Sequence, residues 1–305
     1  LDPLAVHQSG LDEITALEHE YRDMAAVALG TTDVATIYDP LRNHPAIRFS
    51  TAEEVEEPAA RALARANEAV PEWFGRLPKA PCVVQRVPEV GADDAPIAYY
   101  LDPAQDGSRP GTFFINVAQP TTRTRYESEV LAFHESVPGH HFQIAIGQEL
   151  EGIPLFRRNA TATAFVEGWG LYTERLADEM GLYSGDLERF GILSFDSWRA
   201  GRLVVDTGIH ALGWSRQEAI DYLVANSPQA ENNIVNEVER YIAWPGQALA
   251  YKTGQREMFA ARNRAIAIMG DRFDIRGFHD ALLGSGSVPM RTMHRLIDEW
   301  TTSAP

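Results

Sequence analysis

Three of the nine histidines fall within eight residues, in the segment HESVPGHH at positions 134 to 141. The segment begins like H-E-x-x-H, a helical motif whose two histidines, four residues apart, bind one zinc ion. A proline occupies the position where the second histidine of that motif would fall. In an unbroken helix, His140 would point about 120° away from His134, and His141 would lie roughly 10 Å further along the axis. An unbroken helix therefore cannot bring either histidine to the metal that His134 binds.

The proline and glycine inside the segment change this geometry. Pro138 has no N–H group, and its ring clashes with the carbonyl group four residues back, at His134. Gly139 can adopt backbone angles that other residues avoid. We therefore expect two extra residues to loop out of the helix, so that the histidine after Gly139 returns to the place of the missing ligand. His140 is the predicted second ligand and His141 stays the alternative, while a metal-free turn that carries histidines is the competing interpretation.

A catalytic zinc site needs a third protein ligand besides two histidines. The segment ATATAFVEGWGLYTERLADEM predicts a helix, on which Glu167 and Glu174 lie seven residues apart and share one face. Gly168 and Gly170 would allow another part of the chain to approach Glu167 closely. We predict Glu167 as the third ligand and Glu174 as the group that orients one histidine. An ordinary half-buried helix carboxylate is the other interpretation of Glu167.

Glu135, next to the first histidine, is the predicted general base. It would take a proton from a metal-activated water that attacks a carbonyl group and return the proton to the leaving amine. One Zn²⁺ per chain is the expected cofactor, and manganese or cobalt would fit the same ligands. The predicted function is therefore zinc-dependent hydrolysis of peptide bonds. A catalytically inactive protein that binds metal or peptides is the alternative.

Several segments resemble the bacterial domain-of-unknown-function 885 family, which is placed among the zincin metallopeptidases of the glutamate-ligand type. They are YYLDPAQDGSRPGTFFINV, YESEVLAFHESVPGHHFQ, FVEGWGLYTE, RAGRLVVDTGIHALGWS, WPGQALAYKTGQ and FHDALLGSGSVPM. The resemblance implies a zincin-like catalytic domain that cleaves peptides, with His134, His140 and Glu167 as ligands. It also implies Glu135 as the base. Members of that family usually carry a longer helical amino-terminal part, of which this chain has at most a remnant.

Four further residues have candidate roles in such a site. Arg202, Asp206 and His210 follow one another at intervals of four and would line one helix face, suited to an ion-paired, oriented imidazole. Tyr251 is a candidate donor to the oxyanion that forms during attack, with His210 as the competing candidate. A structural ion-pair face and a core aromatic residue are the other interpretations of these positions.

The spacing of apolar residues along the chain predicts a mainly α protein with a small β-sheet, an α+β fold. Residues 1–75 and 120–305 show helical spacing, and Ser50 and Ser215 begin plausible capping boxes. Between them, PCVVQRVP, PIAYYLDP and GTFFINVAQP predict three strands within residues 80–118. We expect a single domain over residues 1–305. By resemblance to related zincins, the GTFFINV strand is the expected sheet edge along which an extended peptide pairs its backbone.

The composition restricts partners and location. A net charge of −16 argues against nucleic acid or an anionic membrane as a partner. A single cysteine excludes an internal disulfide bond and a cysteine-rich zinc module. No apolar run is long enough to span a membrane. The expected location is the cytoplasm, although a chain that begins with Leu1 leaves a lost signal peptide open, and the oligomeric state stays undetermined.

Overall fold

The computed structural model describes residues 2–28, 30–93 and 95–303. Within these residues the chain folds mainly into helices with one three-stranded sheet, so the predicted α+β class is confirmed. In chain order the elements are α1 Pro3–Ala28, α2 Val34–Asn43, α3 Ala52–Trp73, β1 Cys82–Arg86, β2 Ala98–Leu101, β3 Gly111–Ile115, α4 Ser128–Glu135, α5 His140–Glu149, α6 Leu155–Asn159, α7 Thr163–Glu179, α8 Asp186–Leu212, α9 Arg216–Asn226, α10 Glu231–Ala243, α11 Ala250–Met269, α12 Ile275–Leu283 and α13 Met290–Ser303. None of the helices in these residues is long and apolar enough to cross a membrane.

The chain divides into two compact units, each assembled from three separate segments. The first unit comprises Leu1–Phe49, Thr121–Val130 and Ser184–Lys252. The second comprises Ser50–Pro120, Leu131–Tyr183 and Thr253–Pro305. All the residues predicted to hold or orient the metal lie in the second unit. The single domain expected over residues 1–305 stays a prediction.

The first unit is built around the long helix α8. A Cβ added at Gly10 of α1 would lie 2.7 Å from Val204 Cγ2 and 2.9 Å from Leu203 Cβ, so the two helices are in close contact. Tyr21 of α1 and Phe190 of α8 are fully buried in the same cluster. A second cluster joins α8, α9 and α10 and contains Val205, Leu223, Val238 and Tyr241. The capping box predicted at Ser215 is present at the start of α9.

The second unit contains the sheet, whose strand order is β1-β3-β2. Strand β3 pairs in parallel with β1 and antiparallel with β2, so that Phe113 lies opposite Val84 on one side and Tyr100 on the other. The three predicted strands are therefore confirmed. The expectation that GTFFINV forms a sheet edge is wrong, because β3 is paired on both sides. The edges of this sheet belong to β1 and β2.

An aromatic cluster joins helices α3, α5, α7 and α12 of the second unit. The ring of Phe74, just after α3, lies 4.5 Å from the ring of Phe142 on α5 and 6.2 Å from that of Trp169 on α7. His279 of α12 stacks on Phe74 at 4.4 Å. Complete burial of each large aromatic side chain stabilises the fold by roughly 1.5–3 kcal/mol. This cluster holds α5 and α7, the two helices that carry His140 and Glu167, against one framework.

Candidate metal centre

The helix that carries His134 stops, and a new helix starts at His140. Helix α4 ends at Glu135 and α5 begins at His140, with a cis peptide bond before Pro138 in the turn between them. Trp169 Nε1 donates hydrogen bonds to the carbonyl oxygens of Pro138, at 2.9 Å, and Gly139, at 3.1 Å. A Cβ at Gly139 would overlap the carbonyl oxygen of His134. The predicted break is present, but as two separate helices instead of a bulge within one.

This arrangement brings two imidazoles and a carboxylate together. Glu167 Oε2 lies 3.7 Å from His134 Nε2 and 3.5 Å from His140 Nε2. The two imidazole rings are 4.6 Å apart and nearly perpendicular. Zinc bonds of about 2.0–2.1 Å in a tetrahedral arrangement place ligand atoms about 3.4 Å from one another. The Glu167 oxygen therefore has close to the spacing from both nitrogens that a shared zinc ion requires.

Glu135, the last residue of α4, also lies close to the two imidazoles. One of its carboxylate oxygens and one ring nitrogen from each of His134 and His140 all lie within 4.8 Å of one another. The two histidines are buried, whereas Glu135 is half-buried. Two carboxylates are thus within reach of the histidine pair, Glu167 from α7 and Glu135 from the end of α4.

Glu174 determines the orientation of the His134 ring. Its Oε1 lies 2.7 Å from His134 Nδ1, and the Glu174 side chain is 1% exposed. Because Nδ1–H donates to this carboxylate, the ring presents Nε2 to Glu167. Gly170 lies beneath the same ring, where a Cβ would come within 2.5 Å of His134 Cε1. The spacing of seven between Glu167 and Glu174 therefore places both carboxylates on the ring of one histidine, at opposite nitrogens.

The electrostatics of the cluster favour positive charge. Burial by itself lowers the pKa of His134, but its interactions with the Glu167 and Glu174 carboxylates outweigh burial and raise this pKa to about 9. Burial would raise the pKa of Glu167, yet its interactions with His134 and His140 hold that pKa well below the usual range. The negative charge of these carboxylates therefore favours a positive charge on or between the two imidazoles.

His141 makes two hydrogen bonds that occupy both ring nitrogens. Its Nε2–H donates to the carbonyl oxygen of Ala80 at 3.0 Å, and its Nδ1 accepts from the hydroxyl of Tyr100 at 2.8 Å. Burial lowers the pKa of His141 to about 4, so the ring is neutral. These bonds leave no nitrogen lone pair for a metal, which favours His140 over His141. The roles of Tyr100 and Trp169 in holding this segment were not predicted from the sequence, because their partners lie 41 and 31 residues away along the chain.

The other four candidates lie in the first unit and form contacts there. Arg202 donates to Tyr241 Oη and to Glu237 Oε2, each at 2.8 Å, and its guanidinium lies 4.4 Å from the Tyr251 ring centroid. Asp206 accepts from Gly246 N at 3.0 Å, and His210 Nε2–H donates to Tyr241 O at 3.0 Å. The charge partner of Arg202 is therefore Glu237. The predicted catalytic roles of Tyr251 and His210 stay predictions.

Two solved structures resemble this chain over nearly its whole length. A protein from Colwellia psychrerythraea matches with a TM-score of 0.95 and 36% identity, over 99% of this chain and 53% of that one. A protein from Shewanella oneidensis matches with a TM-score of 0.82 and 19% identity, over 97% of this chain and 56% of that one, and shows the fold alone. This chain therefore spans about half the length of both proteins.

Both solved proteins are described as a "putative lipoprotein", the second also as being of unknown function. These descriptions contradict the cytoplasmic location expected from the sequence, because a lipoprotein is secreted or attached to the cell envelope. The single cysteine is compatible with either compartment. That expectation is therefore wrong.

Comparison with curated proteins found no match. A family model described as "Bacterial protein of unknown function (DUF885)" matches residues 1–297, nearly the whole chain. The match includes the segments that carry His134, His140 and Glu167, and it agrees with the resemblance found in the sequence. The chain belongs to the DUF885 family of bacterial proteins.

Proposed function

We propose that this protein is a zinc-dependent peptidase of the zincin type, with His134, His140 and Glu167 as the metal ligands. The observation that carries the proposal is the position of Glu167 Oε2, 3.7 and 3.5 Å from the two histidine Nε2 atoms. The ligand set of two imidazoles and one carboxylate is that of known catalytic zinc sites, which keep a fourth position open. The side chain of Glu167 is 19% exposed, so the cluster has access to solvent.

Glu167 is a better candidate ligand than Glu135, although both lie near the histidines. The Glu167 carboxylate lies 3.5–3.7 Å from both imidazoles, and its interactions with them hold its pKa low, so it is ionised as a ligand must be. Glu135 is half-buried at the end of α4 and is adjacent in sequence to His134. That position leaves Glu135 available for proton transfer.

The chemistry divides between the ion and the residues of the chain. A zinc ion held here would supply a Lewis acid that polarises a carbonyl group and makes water nucleophilic at neutral pH. The Glu135 carboxylate accepts the proton of the attacking water and then donates it to the nitrogen of the leaving amine. The Glu174 carboxylate holds the His134 ring by its Nδ1–H, which fixes the direction of Nε2.

The sheet supports a peptide as the substrate. Tyr100 of the edge strand β2 bonds to His141, the residue after His140, so this strand is tied to the start of α5. An extended peptide can pair with the backbone groups of an edge strand. We infer that β2, in place of the predicted GTFFINV strand, is the edge that takes the substrate backbone.

The descriptions of the two solved structures support a location at the cell envelope or outside the cell. We propose that the natural protein is exported, and cell fractionation with an antibody against this chain tests it. Recovery in the envelope or secreted fraction is the expected result, whereas recovery with soluble cytoplasmic markers would contradict the proposal.

Replacement of the base tests the peptidase function. Glu135→Gln removes the proton acceptor and keeps the size of the side chain, so we expect metal content to persist and cleavage of a peptide library to fall by at least about 10²-fold. Glu151→Gln, which removes the same charge at an exposed position, is the matched control. If wild type binds zinc and cleaves no peptide in the library, or if Glu135→Gln cleaves as fast as wild type, the peptidase proposal fails. The first of these results would favour a metal-binding protein without catalysis.

A further inference from the structure

Two polar atoms in the first turn of α5 are buried without a hydrogen-bond partner. They are His140 Nδ1 and Gln143 Oε1. His140 is 8% exposed and Gln143 is 4% exposed, so neither side chain has ready access to water. A buried polar atom without a partner costs about 1–3 kcal/mol, and each such atom in a native protein calls for an explanation. Two unpartnered atoms on one helical turn call for a common explanation.

The two side chains lie on the same face of the helix. Gln143 N donates to Gly139 O at 3.2 Å, which shows that the helical turn is closed around His140. Residues three apart on a helix have Cβ atoms about 5–6 Å from each other. A rotation about the torsions of the flexible Gln143 side chain can therefore bring its amide oxygen to the imidazole. His140 Nδ1 needs an acceptor when it carries a proton, and Gln143 Oε1 is an acceptor.

The two candidate ligand histidines differ in how they are held. His134 Nδ1–H donates to Glu174 at 2.7 Å, whereas His140 Nδ1 has no partner. A histidine that binds a metal through Nε2 carries its proton on Nδ1, and this N–H is almost always hydrogen-bonded to a nearby acceptor. His140 therefore requires an acceptor once its Nε2 is a ligand.

We propose that Gln143 is a positioning residue for the metal site, and that its Oε1 accepts the Nδ1–H of His140 when metal is bound. This inference rests on the proposed metal site but names a residue outside the predicted ligands, base and orienting groups. The neutral amide would hold His140 as the carboxylate of Glu174 holds His134. An amide acceptor adds no further negative charge to a cluster that already contains Glu135, Glu167 and Glu174.

Asp102 is the competing acceptor. Partial burial raises the pKa of Asp102 and its interaction with His140 lowers it, so the two side chains interact electrostatically. As a whole residue Asp102 is exposed, whereas Nδ1 of His140 is buried. A buried donor is better matched by the buried oxygen of Gln143, which lies on the same helix.

The test uses metal affinity, measured by chelator competition for Zn²⁺ and by titration with Co²⁺. Gln143→Met keeps the length of the side chain and removes the acceptor, so we expect affinity to fall about 10–100-fold. Gln143→Glu retains an acceptor, so its affinity should exceed that of Gln143→Met by at least about 10-fold. Gln148→Met, on the same helix and without an unpaired buried oxygen, is the matched control and should leave affinity unchanged.

A second measurement uses wild type alone and does not depend on how the variants fold. In zinc-loaded protein with labelled histidine, nuclear magnetic resonance should show a slowly exchanging His140 Nδ1–H proton close to the Gln143 side chain. Absence of that contact, or equal metal affinity in wild type and Gln143→Met, would overturn the role of Gln143. Loss of affinity in Asp102→Asn but not in Gln143→Met would overturn it as well, by assigning the role to Asp102. A wild type that binds no metal would instead overturn the proposed function.

Discussion

At the scale of single residues, neighbouring histidines acquire opposite properties from their partners. His134 and His141 are both buried, and burial lowers the pKa of each. Carboxylates at both nitrogens raise the pKa of His134 to about 9, whereas a carbonyl and a hydroxyl leave that of His141 at about 4. Residue type and spacing identified the cluster HESVPGHH, but the choice between His140 and His141 depended on Tyr100 and Ala80. No local pattern in the sequence indicates those partners.

Glu174 gives a prediction at this scale. Glu174→Gln keeps the size of the side chain but removes the charge that holds His134 Nδ1–H, so we expect zinc affinity to fall about 10–100-fold. Chelator competition measures the change, with Glu151→Gln, an exposed residue, as the control for a lost negative charge. Unchanged affinity in Glu174→Gln would show that this carboxylate does not support the metal site.

At the scale of elements, patterns of spacing predicted which segments are helices and strands. The capping box at Ser215 is confirmed. The start predicted for α3 is wrong by one residue. There the cap is Thr51, whose Oγ1 accepts from Glu54 N at 3.2 Å, one residue beyond the predicted Ser50. The order of the strands in the sheet could not be predicted, because β3 is central only through its pairing with β1, which lies far from it in the sequence. Strand patterns identify strands but do not determine their neighbours.

The contact between α4 and α7 gives a prediction at the element scale. A Cβ at Gly170 would lie 2.5 Å from His134 Cε1 and 2.8 Å from Nε2, so Gly170→Ala must displace the imidazole ring or separate the helices. We expect zinc affinity to fall at least about 10-fold, because a displaced ligand loses its geometry. Equilibrium competition with a chelator measures this change.

Gly147→Ala is the matched control for that variant. It lies in helix α5, and a Cβ there would meet nothing within 4 Å. We expect it to leave zinc affinity unchanged and to stabilise the helix by about 0.5–1 kcal/mol. Equal zinc affinity in wild type and Gly170→Ala would show that the ring of His134 is not held by α7.

At the scale of the whole molecule, the arrangement of the chain was the least predictable feature. Each compact unit gathers segments that are far apart in sequence, and α4 passes from one unit to the other within eight residues. Composition and periodicity act over short distances and contain no signal for such interleaving. The cellular location was also predicted wrongly from the sequence, and it was corrected by comparison with two proteins about twice as long.

The stability of the molecule should depend on pH through a buried histidine. Burial lowers the pKa of His279 from 6.5 to about 3, so the imidazole stays neutral in the folded protein above pH 3. Between these values the unfolded chain binds more protons than the folded one, so stability is lost as the pH falls from 6.5 towards 3. This residue contributes about 1.4 kcal/mol per pH unit in that range.

Urea unfolding at pH 6.5 and pH 5 measures this contribution, since few carboxylates titrate above pH 5. His279→Gln removes the titrating group, so the stability lost between pH 6.5 and pH 5 should be smaller than in wild type by about 1.6 kcal/mol. His19→Gln, an exposed position, should keep the wild-type dependence. The same slope in wild type and His279→Gln would contradict the pKa assigned to His279.

The most direct test of the whole account is the metal content of the purified protein by elemental mass spectrometry, after incubation with zinc and removal of the excess. Wild type, His134→Ala and His19→Ala are compared, the last being an exposed histidine outside the candidate site. We expect about one zinc ion per chain in wild type and His19→Ala, and its loss in His134→Ala. No zinc in wild type, or zinc that persists in His134→Ala, would contradict the metal site and the peptidase function proposed from it.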